Sequence, residues 1–340
     1  MSETVEINIT EIHSQSNTLP IFSAYFEYGR HALFEILRLN KIGKGDKVLI
    51  PDFICLEVLG SISAIGAEIK YYSVSEDLKA RDLPIDNSIK AVIAVNYFGF
   101  PQDLSIFKKY CFENKVILIE DNAHGFLSKD TEGKWLGTRS DFGLFSLRKT
   151  FFTIDGGAIW IKNRTQFSEI QILEPQILKT PLRIRCKEIL NRIQVKTGIP
   201  IGLALDSGFR YLRHLRTGHY FPQVNNEFEK LMPAVAPLHL HILQKIQKTD
   251  INLEGKRRRK LYYKIKKILS EIGIFPIFDE LEEGTVPYGF PFRASTKELW
   301  IVSKKVARLG LYPVKWPDLP SNVVFSSPEY YKNVYLINFI

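Results

Sequence analysis

Apolar residues gather in short unbroken runs at 48–50, 91–95, 116–119 and 143–145, the length and continuity of strands buried on both faces of a parallel sheet. A further strand is expected at 68–72. Between the runs, Leu33, Ile36 and Leu37 fall at helical spacing after a glycine-containing turn, and 55–65 and 104–112 also read as helices. Strand and helix alternate, and such a βα repeat folds into a mostly parallel sheet. From about Glu227 the pattern is a smaller α/β unit: helices at 229–248 and 256–271, a strand at 288–292, a helix at 296–309 and a strand at 311–314. The expected organisation is an N-terminal arm at 1–23, a large domain at 24–222 and a small domain at 223–340. Within the large domain, 165–222 reads as a divergent helical lid or interface segment.

Composition narrows the function classes. The chain of 340 residues is 45% hydrophobic and 24% charged, as an ordinary globular protein is. No apolar run approaches the ~20 residues of a spanning helix, and the first residues carry neither a basic region nor an apolar one. A cytoplasmic protein with no stable membrane insertion is expected. Three cysteines without short spacing point to reduced thiols. The net charge of +9 and pI of 9.2 raise nucleic-acid binding. However, the 256–267 run alternates with Leu261, Ile265, Ile268 and Leu269 at helical spacing, so it reads as a solvated helix face. A second basic stretch, 179–216, suits the mouth of a site for an anionic substrate, with attraction to an anionic membrane surface as its other reading. No nucleic-acid partner is expected. His239 and His241 lie two apart and cannot share a helix face, which argues against a metal. Arg293, closing the strand at 288–292, is a candidate contact for an anionic group.

The chemistry concentrates between 116 and 161. In open α/β sheets ligands bind at the carboxyl ends of the strands. The run at 116–119 ends in Glu120 and Asp121, and His124 follows. The run at 143–145 delivers Ser146, Arg148 and Lys149, before Asp155-Gly156-Gly157 opens a return strand. Singly these are a helix cap, a satisfied histidine and a solvated turn. Together, an acid, an imidazole, a hydroxyl and an amine suit pyridoxal 5'-phosphate (PLP), to which a protein supplies position and electrostatics. Asp121 would keep the pyridine nitrogen protonated, Lys149 would hold the cofactor and carry the proton, His124 would meet the phenolate oxygen and Ser146 the phosphate.

At these residues the chain resembles the DegT-like family of PLP-dependent sugar aminotransferases, which carry an E-D-x-A-[QH] segment, then F-S-F, a lysine and an [ED]-G-G turn. The resemblance implies an aspartate-aminotransferase-like PLP fold, with a large domain of mostly parallel sheet and a smaller C-terminal α/β domain. It implies the same roles for Lys149, Asp121, His124 and Ser146. It extends to Gly29, Arg30 and His31, on the helix start where the family receives the cofactor phosphate, and to the loop at 96–101. Two departures stand out. Lys149 follows Ser146 by three residues where the family has five, and Cys55 holds the place of an aromatic that stacks on the pyridine ring. The likeness is good over most of 24–161, loose in the final third and nearly absent between.

The implied reaction moves an amine from a donor such as glutamate onto a keto sugar, nucleotide-linked as in the family. The alternatives are another PLP reaction on sugars, such as deoxygenation, in which the family replaces the lysine by histidine, and a non-catalytic descendant kept for binding or assembly. A homodimer with sites at the subunit boundary is expected, anchored by Phe22, Tyr211, Tyr220 and Phe221.

Overall fold

The computed structural model describes residues 19–177 apart from 152, and 234–339, with isolated positions at 186, 189, 212, 215, 216 and 232. The sheet strands are β1 (Ala24–Phe26), β2 (Lys47–Pro51), β3 (Glu68–Tyr72), β4 (Ile89–Val95), β5 (Ile117–Asn122), β6 (Phe142–Ser146) and β7 (Gly157–Ile161). They lie in the order β1-β7-β6-β5-β4-β2-β3. From β3 to β6 every pairing is parallel, while β7 runs antiparallel to β6 and β1 antiparallel to β7. Helices α1 (Gly29–Leu39), α2 (Glu57–Ala64) and α3 (Ser105–Asn114) complete the expected alternation. β6 is buried at every position, as its unbroken apolar run requires. Because β3 and β4 flank β2 on opposite sides, the winding reverses there and leaves a crevice beyond the strand ends.

Helix α1 sets the geometry of that crevice. Leu33, Ile36 and Leu37 are at most 1% exposed, each contributing about 1.5–3 kcal/mol of burial. Glu35 is buried among them, and it is satisfied by Arg38 at 2.7 and 2.8 Å and by the Gln171 N–H at 2.7 Å.

The C-terminal part forms a three-stranded antiparallel sheet, β8 (Gly289–Arg293), β10 (Val334–Asn338) and β9 (Pro313–Lys315), in that order. The central strand β10 was not among the elements expected. Pro291 and Pro313 fall on the two outer strands, where a missing N–H costs least. Against this sheet pack α5 (Ile251–Ser270) and α6 (Thr296–Ala307), whereas α4 (Leu240–Lys248) sets Ile242, Leu243 and Ile246 in a cluster with Phe145, Leu147 and Phe151; the short α7 (Ser321–Val324) and α8 (Glu329–Lys332) follow. Asp250 caps α5 by accepting the Asn252 and Leu253 N–H groups, and Ser295 with Glu298 forms a capping box on α6. Phe100, after β4, stacks on Phe278 at 4.1 Å and meets Tyr262 of α5 at 5.8 Å, so one hydrophobic cluster runs through both parts.

Several expectations need correcting. The helix expected at 229–248 begins only at Leu240, because Leu238 O and Leu240 N are both bonded to Gln176, which holds His239 extended; positions 229–231 lie outside the described residues. Phe22 is no subunit anchor. It is 6% exposed and packs edge-on to Phe145 at 4.8 Å, inside its own chain. Tyr211, Tyr220, Phe221, residues 1–18 and most of 165–222 lie outside the described residues. The basic run on α5 is not wholly solvated, since Arg258 is 1% exposed.

Candidate active site

The carboxyl ends of β4, β5 and β6 and the amino end of α1 enclose a cavity of about 300 Å³, covered from the C-terminal part by Tyr288, Lys315, Trp316 and Asp318. Strand alternation decides which acid faces it. Asp121 lines the cavity. Glu120 turns the other way, where Arg139 donates to it from Nε at 2.8 Å and Nη2 at 2.5 Å and Asn96 from Nδ2 at 2.9 Å. Asp121 Oδ1 accepts the Ala123 N–H at 2.9 Å. Burial raises its carboxyl above the ordinary value, and that hydrogen bond and Lys149 offset the cost only in part.

Lys149 arrives on a tight 3-10 turn, Leu147–Lys149. Leu147 is the turn's fixed point: its N–H donates to Gly156 O at 2.7 Å, and its carbonyl accepts from Thr150 and Phe151, each at 2.9 Å. The step of three residues from Ser146 therefore still delivers the amine. Lys149 Nζ lines the cavity and stands 3.2 Å from His124 Nε2.

The His124 ring is fixed on both faces. It stacks on Tyr288 at 4.5 Å and 7°, and on Phe98 at 5.8 Å and 6°, with Trp316 edge-on at 5.3 Å. The Phe98 N–H donates to Nδ1 at 3.4 Å, which leaves Nε2 toward the lysine. Burial, reinforced by Lys149 and Arg148, holds this histidine well below its usual range, so the imidazole is neutral.

Ser146 and Gly29 form the opposite end. A Cβ on Gly29 would stand 3.3 Å from Phe145 O and 3.6 Å from Ser146 Cβ, so a glycine lets the start of α1 close on the end of β6. Arg30 stands at this rim with its guanidinium 4.7 Å over the Tyr28 ring, and Arg148 lines the same side. Gly157, second of the glycine pair, runs against the same helix start: its Cβ would fall 2.3 Å from Tyr28 C and O. Helix amino termini of this kind favour phosphate.

Two expected residues are placed otherwise. His31 is fully buried, packs edge-on to Tyr28 at 5.4 Å and does not line the cavity; its N–H is bonded to Tyr28 O at 3.0 Å, because the inner face of α1 carries it into the core. Arg293 is likewise away from the cavity, donating to Tyr330 O at 3.0 Å and to Glu76 O. Cys55 does line it, and burial pushes its thiol up to about 12, so it stays protonated and unreactive. Tyr288, Lys315, Trp316 and Asp318 were missed. They come from the C-terminal part, and only tertiary contact brings them to residues far away in sequence.

Comparison with known proteins agrees with this geometry. The chain is 28% identical over 146 residues to GDP-perosamine synthase of Escherichia coli O157:H7, covering 41% of this chain and 40% of that protein, so it matches about two fifths of the relative's length. Its structure is similar to the aminotransferase TlmJ from Streptoalloteichus hindustanus, with a TM-score of 0.63 at 17% identity over 97% of this chain and 84% of the other. It is also similar to a PLP-form structure from Streptococcus pneumoniae, with a TM-score of 0.57 at 15% identity over 97% and 90% of the two chains. These likenesses establish the aspartate-aminotransferase-like fold expected from the sequence. The model of the DegT/DnrJ/EryC1/StrS aminotransferase family matches residues 24–182, the segment that supplies the floor of the cavity, so over that segment the chain is similar to this family.

Proposed function

We propose that this protein is a PLP-dependent aminotransferase that moves an amine from glutamate or a similar donor onto a nucleotide-linked keto sugar. The observation that carries the reading is Lys149 Nζ beside His124 Nε2 at 3.2 Å, in a cavity that also contains Asp121, Ser146 and Gly29.

The residues fit the cofactor. Asp121 is a buried carboxyl whose ionised form lacks full compensation, and a cationic ring nitrogen would supply it. Gly29 opens a helix start beside Ser146 that a Cβ would crowd, a suitable seat for a phosphate. When bound, PLP supplies the electron sink for breaking a bond at the amine-bearing carbon. Lys149 Nζ holds the cofactor at rest and moves the proton at that carbon during turnover. His124 orients the amine, while Tyr288 and Trp316 keep water from it. Arg30, Arg148 and Lys315 make the rim attractive to an anionic substrate. The relative named for GDP-perosamine synthesis supports the sugar-linked reading. We place the active form in the cytoplasm as a homodimer; the cysteines are free, and no helix among the described residues is long and apolar enough to cross a membrane.

The test is direct. Purified protein given PLP should gain a visible absorption band, and borohydride reduction followed by peptide mapping should place a pyridoxyl group on Lys149. A stable adduct on another lysine, or none at saturating cofactor, overturns the assignment. Transfer of isotopic nitrogen from glutamate to keto sugars, with and without a nucleotide, decides the substrate.

A further inference from the structure

The largest fully buried side chain among the described residues belongs to a residue the proposed chemistry leaves unused. Arg258, on α5 in the small domain, is 1% exposed. Its Nε donates to Glu254 Oε1 at 2.7 Å, one turn earlier on the same helix. Its Nη2 reaches across to the carbonyl of Thr150 at 2.7 Å. Thr150 is the residue after Lys149 and is itself buried.

The turn's own hydrogen bonds converge on Leu147 O, and they leave the Thr150 carbonyl for another donor. In a buried site an unmet carbonyl is costly, and a guanidinium bond to it is charge-assisted. Glu254 completes the arrangement. It accepts from Arg257 at 2.6 and 2.7 Å as well as from Arg258, so the charge that holds the guanidinium is itself held. Burial favours the uncharged form of Arg258 and Glu254 opposes it, which ties the pair together.

We propose that Arg258 is the positioning residue for Lys149: from the small domain it fixes the backbone that carries the amine and so sets where Nζ stands. The reason lies in the short connection. With only Leu147 and Arg148 between Ser146 and Lys149 the chain has no slack, so Nζ follows any shift of its turn. Leu147 pins the turn from the sheet side and Arg258 pins it from the helix side. The same contact makes the amine's placement depend on how the small domain is seated. This inference rests on the reading of Lys149 as the amine that holds the cofactor.

Arg258→Met, Arg258→Lys and the neighbouring Arg257→Met should be compared with the parent in two measurements. The first is amide hydrogen exchange of the protein without cofactor. Arg258→Met should speed exchange at Thr150 and Phe151 by about tenfold to a hundredfold while amides of β4 and β5 keep the parental rate. Arg257→Met, which removes the hydrogen bonds of Arg257 to Glu254 but none to Thr150, should speed those two amides less than Arg258→Met does. The second is the rate at which Lys149 captures added PLP, which should fall at least tenfold in Arg258→Met and recover partly in Arg258→Lys, whose single ammonium can serve Thr150 or Glu254 but not both. Should the Met variant fail to fold, Arg258→Lys carries both measurements, with a smaller loss expected. Unchanged exchange at Thr150 and Phe151, or equal acceleration throughout the sheet, overturns the proposal. Because exchange needs no cofactor, it judges Arg258 even where the parent forms no adduct.

Discussion

Lys149 Nζ faces His124 Nε2 at 3.2 Å across 25 residues of chain, one delivered by the end of β6 and the other by the loop after β5. The pair depends on two short backbone devices. The Leu147–Lys149 turn lifts the amine, and the Phe98 N–H with the rings of Phe98 and Tyr288 holds the imidazole. Burial keeps that imidazole neutral, and its neutrality has a consequence for stability.

The folded protein holds His124 well below the ordinary histidine value of 6.5, mainly by burial. Between that depressed value and 6.5 the unfolded chain binds the proton and the folded chain does not. The contribution is therefore complete above pH 6.5 and is lost as pH falls below it, with a slope approaching about 1.4 kcal/mol per pH unit. His124→Gln removes this group. Urea unfolding of parent and variant from about pH 7 down to about pH 5 should show the parent losing more stability than the variant. Parallel losses would remove His124 as the cause.

Asp121→Asn should separate stability from chemistry. Burial raises the Asp121 carboxyl, so its contribution to folding is present at low pH and is lost as pH rises through the raised value. Without cofactor, the Asn variant should melt higher than the parent at neutral pH. Its transamination should fall by about tenfold to a hundredfold or more, since no carboxylate remains to hold the ring nitrogen's proton. The phosphate contacts proposed for Gly29 and Ser146 are untouched, so PLP affinity should change less. A variant that transaminates at the parental rate would reduce Asp121 to a cap on the Ala123 N–H.

The large domain was legible because each part leaves a local mark. Unbroken apolar runs identify strands buried on both faces, and an acid, a hydroxyl or an amine directly after such a run lies at a sheet edge by connectivity alone. The sorting of Glu120 from Asp121 was equally within reach, since neighbours on a strand face opposite ways. His31 failed for a related reason: a motif position fixes the backbone, while helix phase sends the side chain into the core. The small domain was harder. Tyr288, Trp316 and Arg258 act through contacts with residues more than a hundred positions away, and their own neighbourhoods look like an ordinary strand edge or a solvated helix. Arg258 in particular lies in a run of five basic residues, four of which remain at least partly exposed.

Gly157→Ala tests the seat at the phosphate end. The added Cβ would fall 2.3 Å from Tyr28 C and O and 2.8 Å from Gly29 N, all backbone atoms, so β7 or the start of α1 has to move. Overpacking of this kind costs about 1–3 kcal/mol, and the displaced helix start should weaken PLP binding. Gly43→Ala is the control, because its nearest neighbour would be Ile65 O at 3.5 Å, an ordinary contact. Urea midpoints and PLP titrations of both variants should separate them. Equal affinity for PLP in Gly157→Ala and the parent would detach the α1 start from the cofactor site.

Assembly is the remaining expectation. Ile172 and Ile177 are 60% and 82% exposed, at the edge of a stretch rich in isoleucine, leucine and arginine that extends to about 222. Burying two such side chains across an interface contributes about 1.5–3 kcal/mol each, and a partner's basic residues brought near the cavity would account for the positive charge without a nucleic acid. Sedimentation at micromolar protein should show one species at twice the 39.2 kDa chain mass. Ile172→Asp with Ile177→Asp should shift it toward the monomer and lower activity together with the dimer fraction, because an isolated carboxylate is costly to bury. A monomer in the parent that still transaminates would refute the shared site, and salt-sensitive binding of duplex DNA would reopen the nucleic-acid reading of the charge.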